Sequence, residues 1–186
     1  MKTIALAIGA ALAVAGPASA AHWNVDTAKS KLGFTVTWNK QPFTAVFKSW
    51  KADIDFDPAD LSHARVSATI DTGSEMSDDS ETDEGVHGSV GFASAQFPTA
   101  KFEATKFARG AGNAYSAAGT LTIRGISKPV TLDFNLNITG DTAVVVGKAR
   151  LMRTDFGLGT TPEWAGDTPV AHDVTVTLNL RATKAH

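Results

Sequence analysis

Five histidines, nineteen carboxylates and no cysteine are the raw material for chemistry in this chain. His22, His63, His87, His172 and His186 stand at no mutual spacing that would converge on a metal ion, and no thiolate is present to complete a site. His172 beside Asp173, and His87 beside an acidic stretch, are the only pairs, and such residue types favour the surface. Serine supplies no nucleophile, because Gly88-Ser89-Val90-Gly91 lacks the glycine spacing of a strand-to-helix elbow. Gly157-Leu158-Gly159 has no lysine and no helix pattern after it, so it does not cradle phosphate. Asp53 and Asp55 flank Ile54 on what reads as the solvent side of a strand, where a carboxyl keeps its ordinary pKa. Seven acidic residues lie between Asp71 and Glu84, Asp78 and Asp79 among them, but without the glycine bend and terminal glutamate of a calcium loop. They predict instead the solvated face of a short helix, capped by Ser77 or Asp78 and running through Glu84. No catalytic residue, metal site or cofactor is expected.

The chemistry left is desolvation of apolar surface, and the elements that would position it are β-strands. Across 101–138 the chain reads as three consecutive strands. Tyr115, Ala117, Gly119, Leu121 and Ile123 share one face, as do Val130, Leu132, Phe134, Leu136 and Ile138, each set alternating with mostly polar residues. Gly110, Gly112 and Asn113 precede the middle run, and the six residues from Arg124 to Pro129 separate it from the next. Upstream, Leu32, Phe34, Val36 and Trp38 form an aromatic strand face. Between Phe43-Ala45-Phe47 and Trp50-Ala52-Ile54-Phe56 the apolar parity slips, which predicts a β-bulge near Lys48 or Ser49. Val66, Ala68 and Ile70 mark a third strand; Val145 to Leu151 and Val174 to Leu180 mark the last two. Eight antiparallel strands with short hairpins suit an up-and-down barrel, and the same pattern would also serve a two-sheet sandwich.

The phrase GTLTIRGISKPVTLDF, the segment from Gly85 to Thr105 with FPTAKFEAT, the DFDPADL turn and the RTDFGLG run together resemble the YceI-like family, over essentially the whole chain after the first twenty residues. The resemblance implies an all-β, eight-stranded antiparallel lipocalin-like barrel with one short helical insertion. It also implies secretion or a periplasmic location, and an interior that binds a long isoprenoid or acyl lipid. Phe92, Phe97 and Phe102 match the family's aromatic positions and would plug or line one end of the barrel.

Residues 1–20 read as a cleaved signal peptide. Lys2 begins it, an alanine-rich run follows, and Ala18-Ser19-Ala20 offers a cleavage site, so residues 21–186 would form the domain. The apolar run is too short for a membrane anchor, and no second run is long enough to cross. The net charge of -2 leaves no basic surface for nucleic acid.

The inward faces carry Phe34, Trp38, Phe56, Phe102, Leu121, Ile123, Phe134 and Leu136 among small residues such as Ala52, Ala68, Ala104, Ala117 and Gly119. The pattern by itself favours a filled interior, whereas the resemblance favours a tube. Phe92 and Phe97, with Phe156 and Trp164 from the loops, complete the expected lipid-binding set. Arg124, Arg153 and the Glu163-Trp164 loop would stand at the mouth near a head group. The expected ligand is a polyisoprenoid, a quinone tail or a fatty acyl chain. A transient contact with the membrane or a membrane redox protein, and a homodimer, are compatible partnerships. The rival reading is a filled barrel acting through its surface in envelope stress. An enzyme acting on lipid would need a polar group inside, for which only His172 has inward parity.

Overall fold

A computed structural model describes residues 20–186. The expected signal peptide lies outside the described residues, except for Ala20. In chain order the strands are β1 (His22–Val25), β2 (Lys31–Trp38), β3 (Gln41–Phe47), β4 (Trp50–Asp57), β5 (Asp60–Asp71) and the two-residue β6 (Glu75–Met76). Helix α1 (Ser80–His87) follows, and then β7 (Thr99–Arg109), β8 (Ala114–Ile123), β9 (Ile126–Thr139), β10 (Thr142–Met152) and β11 (Val170–Lys184).

Eight staves close into one antiparallel barrel. A 3₁₀ turn at Thr27–Lys29 interrupts the first stave, yet both of its halves, β1 and β2, pair with β11. The second stave is β3 and β4, paired with β2 and β1 respectively. From β4 the ladder runs through β5, β7, β8, β9 and β10 to β11, which returns to β1 and closes the ring. The one-sided alternation fits this closure, because each strand buries a single face.

Three local features differ from expectation. Near Lys48 and Ser49 the strand breaks instead of bulging. Lys48 N–H donates to Ser74 O at 3.0 Å and Asp71 N–H to Ser49 O at 3.0 Å, so the bend is stitched to the turn that follows β5. The parity slip was the trace of that break. The turn between β8 and β9 is only Arg124-Gly125, both at positive φ (52° and 75°), as a tight two-residue hairpin requires. Pro129 therefore lies inside β9, opposite Thr120, with its ring exposed. Helix α1 starts later than expected and is capped by Asp79, whose carboxylate accepts from Glu81 N–H at 3.1 Å and Thr82 N–H at 3.4 Å. Ser77 serves Asp83 instead, donating through its N–H at 3.0 Å and its hydroxyl at 2.5 Å.

All long connections fall at one end. There lie the β2–β3 and β8–β9 hairpins, the α1-bearing segment between β5 and β7, and the segment between β10 and β11. This end is called the mouth below, and the opposite end the floor.

Candidate functional site

The barrel encloses a cavity of about 560 Å³, within the usual ~300–1,000 Å³ of small-molecule sites. Its shape follows from how the inward residues are covered along each strand. From mouth to floor on β11, Val174, Val176 and Leu178 are partly accessible, whereas Leu180 and Ala182 are buried. On β9, Val130 and Leu132 are partly accessible and Phe134 and Leu136 buried; on β4, Trp50, Ala52 and Ile54 are partly accessible and Phe56 buried. An inward side chain of a closed barrel keeps accessible surface only where the interior is hollow. The middle of the barrel is therefore a tube that narrows toward the floor, where Leu136, Leu180 and Ala182 still line the cavity but are buried.

Of the twelve residues expected to bind lipid, ten line this cavity: Phe34, Trp38, Phe56, Phe92, Phe102, Leu121, Ile123, Phe134, Leu136 and Trp164. Phe97 and Phe156 do not. The Phe97 carbonyl accepts from Thr72 Oγ1 at 2.8 Å, and its ring lies 6.0 Å from the Arg124 guanidinium. Phe156 sits in a 3₁₀ turn, 1% exposed, packed in the core around Ile70, Phe92, Ala100 and Ile123. Its position after the end of β10 removes it from strand parity. Leu32, Phe43, Phe47 and Trp50 also line the cavity, and their parity would have found them. Val86 and the glycines at 85, 88 and 91 line it too, but no strand pattern could have pointed to them.

At the mouth, Phe34 packs against Phe47 and Phe92 with ring centroids 5.9 and 6.3 Å apart, and Trp38 meets Trp164 edge-on at 6.0 Å. Trp164 is held there by Arg153. Arg153 is 5% exposed, and its guanidinium gives its N–H groups to backbone carbonyls alone. Nε donates to Ala171 O at 3.0 Å; Nη1 to Leu158 O and Gly159 O at 2.9 and 2.7 Å; Nη2 to Trp164 O, Gly166 O and Val170 O at 2.6, 2.9 and 2.8 Å. Burial pulls its pKa below the ordinary value, against the opposing charge of Asp167. The expectation that Arg153 greets a head group is corrected, since its five N–H donors are already engaged. Arg124 is partly engaged: its Nη1 lies 3.0, 2.7 and 3.1 Å from the carbonyls of Ser89, Gly91 and Gly157, bridging the two long mouth segments.

The other polar lining side chains are Thr82 and Ser89. His172 is outside the lining, with Nε2 2.8 Å from Ala165 O. The titratable group most altered by its surroundings is Glu75. It is pushed up to about 8 by burial and by the nearby charge of Asp83. Its side chain has no exposed surface and no hydrogen-bond partner for either carboxyl oxygen, although His87 Nε2 approaches Oε2 to 3.2 Å and lies 3.0 Å from Glu75 O. Glu75, in β6, is outside the cavity lining and its carboxyl faces His87 of α1.

The expectation that Asp55 is unperturbed is also corrected. Hydrogen bonding with His22, and then with Arg65, holds the Asp55 carboxyl below its ordinary range. His22, Asp53 and Asp55 bring potential metal-ligand atoms within 4.8 Å of one another. Arg65 already pairs with Asp55 and lies 3.9 Å from Asp53, which makes this an exposed ion-pair network.

A closed eight-stranded barrel around a hydrocarbon-lined tube that narrows toward the floor defines a lipocalin-like architecture. The sequence pattern of the YceI-like domain matches residues 23–182, and the chain belongs to that family. A UPF0312 protein of Pseudomonas aeruginosa is 30% identical over 173 residues, covering 84% of this chain and 87% of the relative. The crystal structure of BcnA from Burkholderia cenocepacia is similar with a TM-score of 0.82 and 32% identity, over 86% of this chain and all (100%) of that one. A polyisoprenoid binding domain from Saccharophagus degradans, implicated in plant cell wall breakdown, shares the fold with a TM-score of 0.69 at 14% identity, covering 89% and 99% of the two chains.

Proposed function

We propose that this protein is a non-enzymatic carrier that takes the apolar chain of a long lipid, of the polyisoprenoid type, into its barrel. The observation that carries the reading is the belt of partly accessible inward residues, Val174, Val176, Leu178, Val130, Leu132, Trp50, Ala52 and Ile54, around a cavity of about 560 Å³. Each methylene removed from water there contributes about 0.8 kcal/mol, so a chain of a few isoprene units binds without a charged anchor. The lining holds no titratable side chain besides the fully engaged Arg153, which favours holding a ligand over transforming it. The polyisoprenoid ligand of the Saccharophagus degradans domain supports the lipid class. The alanine-rich leader with Ala18-Ser19-Ala20 supports export to the periplasm, where the carrier would meet its lipid at a membrane.

The test is native mass spectrometry of protein purified from the periplasm, followed by denaturing extraction of anything bound. A stoichiometric polyprenyl, quinone or acyl species is expected. Protein that emerges empty and also takes up no added polyprenol would overturn the carrier reading.

A further inference from the structure

The boundary between tube and floor is built from aromatic rings. Phe56, 5% exposed, is their hub. Its ring centroid is 5.6 Å from that of Phe107, 5.5 Å from Tyr115 and 6.1 Å from Phe134, each in a steep edge-to-face arrangement. Tyr115 and Phe134 stack on each other at 5.6 Å with an interplanar angle of 18°. Trp23, at the floor end, locks the layer by donating its indole N–H to the Phe56 carbonyl at 2.9 Å. Contacts at these separations leave no passage for a hydrocarbon chain between the rings, and beside them the cavity narrows to the buried Ala143, Leu180 and Ala182. On β4 and β9 the accessibility of inward residues ends at members of this layer, Phe56 and Phe134.

We infer that this ring layer sets the longest lipid chain the barrel accepts, with Phe56 as the specificity-determining residue. The inference rests on the carrier reading. A chain entering at the mouth gains burial for every carbon until its tip meets Phe56 and Phe134. Further carbons must stay outside or fold back, so affinity rises with length and then levels off. The plateau is a property of the floor, not of the mouth. Shrinking a floor ring moves it to longer chains. Adding bulk in the tube at Ala68, which lines the cavity and is partly accessible, moves it to shorter ones.

The experiment measures Kd for a series of polyprenols with increasing isoprene count, by displacement of a fluorescent apolar probe from delipidated protein. The wild type is compared with Phe56→Leu, Phe107→Ala and Ala68→Leu. The expected result is a wild-type plateau that lengthens in Phe56→Leu and Phe107→Ala and shortens in Ala68→Leu. Each methylene newly admitted should tighten Kd by about fourfold, the equivalent of ~0.8 kcal/mol. Ala68→Leu leaves the floor packing untouched and keeps the test decisive if a floor variant does not fold. A wild type that binds the series with a plateau unchanged in every folded variant would overturn the ring-layer assignment alone. A wild type that binds no polyprenol would remove the carrier reading, and this inference with it.

Discussion

Arg153 shows how much one residue can organise. The chain between β10 and β11 has no regular structure beyond a 3₁₀ turn, and six of its backbone carbonyls, or those flanking it, converge on this one guanidinium. Replacing it by methionine leaves those carbonyls short of donors in a half-buried loop, so Arg153→Met should cost about 3 kcal/mol. For a protein of this size that lowers Tm by roughly 10 °C, readable by calorimetry. Trp164 should also lose its fixed position against Trp38, which a blue or red shift of its fluorescence would report. An unchanged Tm would show that water replaces the donors at no cost. None of this was legible in the sequence. An arginine at the end of β10 reads as a cation at the mouth, near a head group, because its partners are main-chain atoms that carry no residue identity.

At the scale of elements, α1 is the weakly held piece. None of its residues is buried, yet Thr82, Gly85 and Val86 form part of the cavity wall. Its attachment to β6 runs through Ser77 with Asp83, and Glu75 with His87. Glu75 titrates near 4.5 when unfolded and at about 8 when folded. Between those values the folded state keeps a proton that the unfolded chain has released. The contribution is therefore full below the unfolded value and is lost as pH rises through about 8, at up to ~1.4 kcal/mol per pH unit. Denaturant titrations across that window should show stability falling with pH in the wild type and a flatter profile in Glu75→Gln. Hydrogen exchange should place the loss in the amides of α1. Parallel slopes in the two proteins would mean that the Glu75 carboxyl is not the group responsible. The acidic cluster announced a helix, and its glycines and serines blurred where the helix begins. That Glu75, one acid among seven, is the buried one follows from the two-residue pairing of β6 with β3, which has no pattern of its own.

At the scale of the whole molecule, the cavity lining among the described residues carries no charge besides the engaged Arg153, so the driving force for binding is apolar. The Kd for a neutral lipid should then change less than about twofold between low and high salt, since screening acts only on charge. A steep salt dependence in displacement titrations would point to a charged head-group contact outside the tube. The barrel itself was largely legible. Alternation in Tyr115 to Ile123 and Val130 to Ile138 fixed the inward faces, and the parity slip between Phe47 and Trp50 marked a real bend. Whether the interior was hollow was not legible, because Ala52, Ala68 and Gly119 can equally be filled by Phe102 or leave room beside it. The answer lies in how eight faces meet in space.

Closure of the ring joins the two extremes of the described chain. Trp23 stands opposite Lys184, and Ala185 N–H donates to His22 O at 2.9 Å. The contact that closes the ring thus spans nearly the whole length of the described chain. A chain lacking β11 leaves β10 and β2 as open edges, so the ring cannot close during synthesis until its final fifteen-residue strand is available. High contact order of this kind slows folding. Delay of that sort leaves the open edges of β10 and β2 exposed to other chains while the ring is incomplete.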